Sequence, residues 1–138
     1  MLTARCTATS RQKTETDKEV IKMKLTELYE KLGGSCTDVL QRIPSEQMLL
    51  KFVKLYPADP SEGQLEAAVE AKDWQTAFRA AHTLKGVAQN LGFEKLQRAA
   101  SEITEALRGG QELEDASLLE EVKKEHKSVI SAISGLDA

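Results

Sequence analysis

Cysteine is almost missing from this 138-residue chain, which carries only Cys6 and Cys36. Two cysteines without Cys-x-x-Cys spacing build no disulfide scaffold. The only histidines are His82 and His126. No structural zinc site is expected from these four residues, because zinc takes Cys and His ligands in fours at close spacing. Aromatic residues make up 4% of the chain, and there are three prolines. A β-sandwich or barrel needs more strand formers and more turn signals than that. No apolar run approaches the ~18 residues of a membrane span. The first twenty residues lack the apolar stretch of a signal peptide, so a cytoplasmic protein with no membrane role is expected. Positive charge is not in excess either: 19 Lys and Arg face 22 Asp and Glu, for a net charge of −3. That excludes nucleic-acid binding through bulk positive charge. Glycine-rich phosphate loops of the Walker or kinase type are also absent, so no ATP site is expected.

What is present reads as helix throughout. With 41% apolar and 30% charged residues, the composition is that of one globular domain. Residues 1–15 are polar, Thr-rich and aperiodic, and read as a flexible tail ahead of a domain over 16–138. A first helix follows a cap at Thr16 or Asp17 and carries Ile21, Leu25, Leu28 and Leu32. Gly33-Gly34 ends it. A short helical turn from Thr37 to Ile43 reaches Pro44. Ser45 then caps a helix carrying Met48, Leu49, Phe52, Val53 and Leu55, broken by Pro57 and Pro60. Ser61 with Gln64 reads as a capping box for the next helix. Asp73 caps a helix from Trp74 to about Leu91, closed by Gly92. Leu96, Ala99, Ala100, Ile103 and Leu107 form the stripe of another, stopped by Gly109-Gly110. The last helix is expected to begin near Glu112, with Leu119, Val122, Val129, Ile130 and Ile133 facing the core. Short links between amphipathic helices predict an all-α, up-and-down antiparallel four-helix bundle with an additional N-terminal helix.

The chemically informative stretch is Trp74 to Gly92. On a helix advancing about 100° per residue, Trp74, Ala77, Phe78, Ala81, Leu84, Ala88 and Leu91 share one face. His82 projects roughly 120° from the centre of that stripe, toward solvent or a shallow groove. Its surface neighbours are Arg79, Lys85, Gly86 and Gln89. Glycine in mid-helix costs about 1 kcal/mol relative to Ala, so an advantage is needed to explain Gly86. Its bare turn leaves room beside the imidazole for a partner and a phosphoryl group. Lys85 is a flexible cation able to neutralise phosphoryl oxygens. Gln89 can hydrogen-bond the imidazole or its adduct, and Arg79 adds positive potential. Imidazole is a competent nucleophile near neutral pH. Nothing on the helix supplies a general base or a third triad member, which argues against a hydrolase. Any phosphoryl group would have to come from a partner.

The run Ala80-Ala81-His82-Thr83-Leu84-Lys85-Gly86, continuing to Asn90-Leu91-Gly92, closely resembles the signature of histidine-containing phosphotransfer (HPt) domains. A looser likeness takes in Leu28 to Gly34, Phe52, Leu65 and Ala71-Lys72-Asp73-Trp74, and runs on to about Leu107, covering most of residues 25–110. Val87 departs from the small polar residue that many members carry there. The resemblance implies a four-helix bundle acting in multistep phosphorelays. His82 would be the phosphoacceptor, Lys85 would hold phosphoryl charge, Gly86 would keep access open and Gln89 would support the imidazole. The implied partners are response-regulator receiver domains and a sensor or hybrid histidine kinase. No cofactor is implied for this chain, the Mg²⁺ being supplied by the receiver.

Two other readings stay open. The chain could be the phosphoacceptor domain of a chemotaxis-type or hybrid kinase, charged by an ATP-binding domain. It could instead be a helical adaptor without phosphate chemistry. His126, between Val122 and Val129 on the last helix, reads as a packed or edge histidine. The acidic cluster Glu112–Asp115 suits a helix start through the helix dipole. A monomer is expected, because no heptad stripe demands a second chain.

Overall fold

A computed structural model describes residues 19–137. The expected tail at 1–15 and the cap at Thr16 or Asp17 lie outside the described residues, as does Cys6. Among the described residues every regular element is helical, and no helix is long and apolar enough to cross a membrane.

Helix α1 covers residues 19–32 and buries Leu25, Leu28, Tyr29 and Leu32. Gly34 N–H returns to the Tyr29 carbonyl at 2.9 Å, closing its end. Helix α2, Cys36–Arg42, is capped by Ser35. Helix α3, Glu46–Leu55, is capped by Ser45, whose Oγ accepts from Met48 N–H at 3.2 Å. A 3₁₀ turn, Tyr56–Ala58, leads to α4, Ser61–Glu70. Then follow α5, Trp74–Leu91, α6, Glu94–Leu107, and α7, Ser117–Ser134, with a closing 3₁₀ turn at Gly135–Asp137. The ring of contacts α4–α5, α5–α6, α6–α7 and α7–α4 makes the expected four-helix bundle. Links of a few residues turn α5 back on α4 and α6 back on α5. Leu65, Ala77, Ala81, Leu84, Ala100, Ile103, Leu107 and Val122 are fully buried between these four helices.

The N-terminal helices hold the far end of α5. Tyr29 Oη donates to the Leu91 carbonyl, and Arg42 Nη2 donates to the Gln89 carbonyl at 2.9 Å. The Leu91 carbonyl is one that the helix end leaves unpaired, while the Gln89 carbonyl also accepts from Gly92 N–H at 3.2 Å. Gly92 terminates α5 with φ of 74°, and any Cβ there would run into Val39 of α2. The close approach of α2 therefore requires glycine at this position.

Two helix starts differ from the sequence expectation. Ser61 does not cap α4: it is already in the helix, and its N–H is taken by Asp59 Oδ1 at 2.8 Å across Pro60. The helix starts one residue earlier than a Ser61 cap requires: the Gln64 N–H that the Ser61 hydroxyl would have capped is already bonded to the Pro60 carbonyl at 2.9 Å. The last helix starts at Ser117, not near Glu112. Asp115 Oδ1 accepts from both Ser117 N–H, at 3.0 Å, and Ser117 Oγ, at 2.6 Å. That local turn competes with helix and keeps Glu112–Asp115 in the link.

Candidate functional site

Helix α5 begins where Asp73 caps it, Oδ1 accepting from Thr76 N–H at 3.3 Å and Oδ2 from Thr76 Oγ1 at 2.7 Å. These bonds hold the Asp73 carboxyl below its usual range. The buried face consists of Ala77, Ala80, Ala81, Leu84, Ala88 and Leu91. It includes Ala80 and leaves Trp74 and Phe78 half-buried at its edge. The face is thus rotated away from the expected stripe, because the alanines let α4 and α6 approach closely. His82 stands nearly opposite its centre and is exposed. Among the described residues neither of its ring nitrogens has a hydrogen-bond partner.

Two different surfaces flank this histidine. On the α6 side lies Phe78, whose ring is stacked with the imidazole, centroids 6.2 Å apart and planes 15° apart. The Arg108 guanidinium lies over Phe78 with Cζ 5.8 Å from the ring centroid. Arg108 is itself paired with Glu105, Nε to Oε2 at 3.0 Å and Nη2 to Oε1 at 2.6 Å. This pairing, and beyond it the charge of Lys85, lowers the Glu105 carboxyl below its ordinary value. Lys85 is half-exposed on this flank. Arg79 is exposed and lines a cleft of about 250 Å³ with Gln75, Phe78, Gly109 and Gly110.

On the other flank is an apolar groove of about 460 Å³. Phe52, Leu55 and Tyr56 form one wall, Val87, Asn90 and Leu91 of α5 the other, with Arg42, Ile43 and Asp59 at the ends. Phe52 is 40% exposed, Met48 50% and Leu55 56%. Going around α5 from His82 to this groove, one crosses Gly86 and then Asn90 before reaching Val87. Around Gly86 nothing lies within 4 Å of where a Cβ would sit. No packing among the described residues demands glycine there. Gly63 is equally open, but it sits in the first turn of α4, where the cost of glycine is smaller.

Of the residues singled out by sequence, Arg79, His82, Lys85, Gly86 and Gln89 all lie on the outer part of α5. The hydrogen bond from the Gln89 side chain to the imidazole is not made, since seven residues separate them by about 10 Å along the axis. What sequence reading missed is the groove. Helix α3 and the first residue of the 3₁₀ turn after it carry two parallel apolar rows, Leu49-Val53-Tyr56 and Met48-Phe52-Leu55, each spaced four and three. Only the first is buried. Two such rows, one residue apart, make an apolar face too wide for a single core contact, and that signal was legible. Val87, the residue that departs from the family pattern, lines the groove. Among the described residues no three His, Cys, Asp or Glu side chains gather as metal ligands.

The family model of the Hpt domain matches residues 59–132, more than half of the chain. No curated protein and no solved structure matches it. The matched span starts and ends later than the 25–110 read from the sequence: it leaves out Leu28 to Gly34 and Phe52, and takes in α7. An all-helical bundle, an exposed histidine on its central helix and this match agree, and the chain belongs to the Hpt domain family, whose members carry out histidine phosphotransfer in phosphorelays with receiver domains and histidine kinases.

Proposed function

We propose that this protein is a phosphorelay intermediate that accepts a phosphoryl group on His82 from a receiver aspartate and passes it to another receiver. The observation that carries this reading is Gly86. It is a mid-helix glycine with no internal cause, placed between an exposed histidine and an apolar groove. A mid-helix cost of about 1 kcal/mol is retained where a partner needs the space. The groove and the exposed Met48, Phe52 and Leu55 would take the apolar face of the receiver, bringing its aspartyl phosphate over Gly86 to the imidazole.

In the transfer, the Nε2 lone pair forms the N–P bond while the bond from phosphorus to the aspartyl oxygen breaks, and the carboxylate leaves with that electron pair. The proton on Nδ1 stays with the ring until solvent takes it. Lys85 offsets charge on the phosphoryl oxygens, with Arg79 adding potential, while Gln89, two turns along the helix, takes no direct part in the step. The receiver supplies the Mg²⁺. Positioning and charge stabilisation account for most of phosphoryl-transfer catalysis, so a helix with one accessible histidine suffices. The protein acts as a monomer in the cytoplasm on this reading.

Phosphoramidate supplies the test without a cognate receiver. The protein takes up one phosphoryl group by intact mass, and phosphorus NMR at neutral pH or above reports phosphohistidine. His82→Gln stays folded and takes up none. Uptake that persists in His82→Gln contradicts the assignment.

A further inference from the structure

The α6 flank of His82 has no part in the proposed receiver docking, yet it carries the one ring contact the imidazole makes among the described residues. We infer that Phe78 is a positioning residue for His82, its ring fixing the plane of the imidazole and Arg108 fixing Phe78 in turn. This rests on His82 being the phosphoacceptor.

Consider what else could hold the ring. His82 is exposed and its nitrogens make no hydrogen bond to the described residues, so nothing polar orients it. An exposed side chain of this kind exchanges rotamers within picoseconds to nanoseconds. A partner approaching across Gly86 would then meet a moving nucleophile. The Phe78 ring lies one helical turn before His82, on the same side of α5. Its geometry, 6.2 Å between centroids and 15° between planes, is that of an offset stack. Phe78 is in turn constrained from outside its own helix. Arg108 lies 5.8 Å from its centroid, within the range of cation–π attraction. The guanidinium makes two hydrogen bonds to the exposed Glu105, a surface pairing that favours this orientation. The chain Glu105–Arg108–Phe78–His82 therefore runs from the end of α6 to the nucleophile.

Phe78 packs against the edge of the core, but that contact alone does not call for an aromatic ring. Ala77, Ala81 and Leu84 occupy the core at this level, and all are fully buried, whereas Phe78 is half-exposed at the edge. A leucine at 78 would cover the same edge. What leucine lacks is a flat face.

Holding a nucleophile in an attack-ready orientation removes part of the entropy barrier. With phosphoramidate as donor, Nε2 forms the N–P bond, the donor's P–N bond breaks, and ammonia leaves with its electron pair. No other co-reactant is needed, so the rate reports the readiness of the imidazole itself.

The experiment compares wild type, Phe78→Leu and Phe78→Tyr. It measures the phosphoramidate rate by intact mass and the carbon-bound ring-proton shifts of His82 by NMR. A stacked aromatic ring moves those protons upfield. The inference expects upfield His82 protons in wild type and Phe78→Tyr. In Phe78→Leu this shift is lost and phosphorylation slows by about tenfold. The thermal midpoint of each variant separates these effects from loss of fold, which would leave Phe78→Tyr no better than Phe78→Leu. A wild-type rate in Phe78→Leu, with the ring shift gone, overturns the inference while leaving His82 as phosphoacceptor. Unshifted His82 protons in wild type overturn it as well. Absence of any adduct on wild type removes the underlying reading and this inference together.

Discussion

His82 stands on the outer face of α5 with both ring nitrogens unbonded to the described residues, whereas His126 on α7 is largely covered by its neighbours. His126 Nδ1 is 2.7 Å from Tyr56 Oη, its ring lies 5.5 Å from the Tyr56 ring, and Nε2 is 3.6 Å from Glu62 Oε2. Burial pushes the His126 pKa down, against the pull of Glu66 and Asp59. Glu62 is 5% exposed with Oε1 unpaired, and burial, followed by its hydrogen bond to Glu66, raises its carboxyl to about 7. The contrast separates two uses of one side chain. A histidine whose nitrogens are engaged by a core network ties α7 to α4 and to the turn before it. A histidine stacked by a carbon ring and otherwise free remains available as a nucleophile.

The largest expected effect breaks the comparison at its chemical end. With phosphoramidate, His82→Gln abolishes phosphoryl uptake, while His126→Gln keeps it. Intact mass distinguishes them, and the reverse pattern would exchange the roles of the two residues.

The next effect lies at the structural end, in the pH dependence of stability. A carboxyl whose folded pKa is raised contributes stability that is present below its unfolded value, near 4.5, and is lost as pH rises through about 7. Burial of Glu62 thus works against the fold at alkaline pH. His126 has the opposite sign: its folded pKa is depressed, so stability is full above about 6.5 and falls as pH drops below it. Glu62→Gln is therefore expected to stabilise the protein at pH 8 by on the order of 2 kcal/mol and by little at pH 4.5. Urea melts at the two pH values check this, and an equal change at both would refute it.

Smaller effects sharpen the contrast. Tyr56→Phe removes the hydrogen bond to His126 and should cost about 1 kcal/mol with no change in the phosphoramidate rate, measured by denaturation and intact mass. Gly86→Ala works the other way. Its Cβ meets no atom, so helix propensity alone should raise stability by about 1 kcal/mol. Gly86→Leu should stay folded, yet slow transfer from a phosphate-charged receiver domain far more than it slows phosphoramidate uptake. Unchanged receiver transfer in Gly86→Leu removes the argument from access.

Much of this was legible in the amino-acid order. The caps at Ser45 and Asp73, the stops at Gly33 and Gly92, and the outward placement of His82 follow from local rules that the packing does not override. His126 as an edge histidine was legible from its place between Val122 and Val129. The rest depended on contacts between elements distant in sequence. The Pro60 carbonyl took the Gln64 N–H and so started α4 one residue early, and Asp115 held back the start of α7 by bonding Ser117 N–H and Oγ. Phe78 could not be given its neighbours from a helical wheel, since Arg108 reaches it from the end of α6. The groove required knowing which of two apolar rows on α3 faces the core. The burial of Glu62 likewise depends on α7, whose His126 lies 3.6 Å from its carboxylate.

The most direct test follows both imidazoles at once. In protein labelled with ¹⁵N in histidine only, long-range proton–nitrogen spectra resolve His82 and His126 before and after phosphoramidate treatment. The account predicts that one nitrogen of His82 acquires coupling to phosphorus while the His126 signals keep their positions. Phosphorus coupling at His126, or at neither ring, would contradict it.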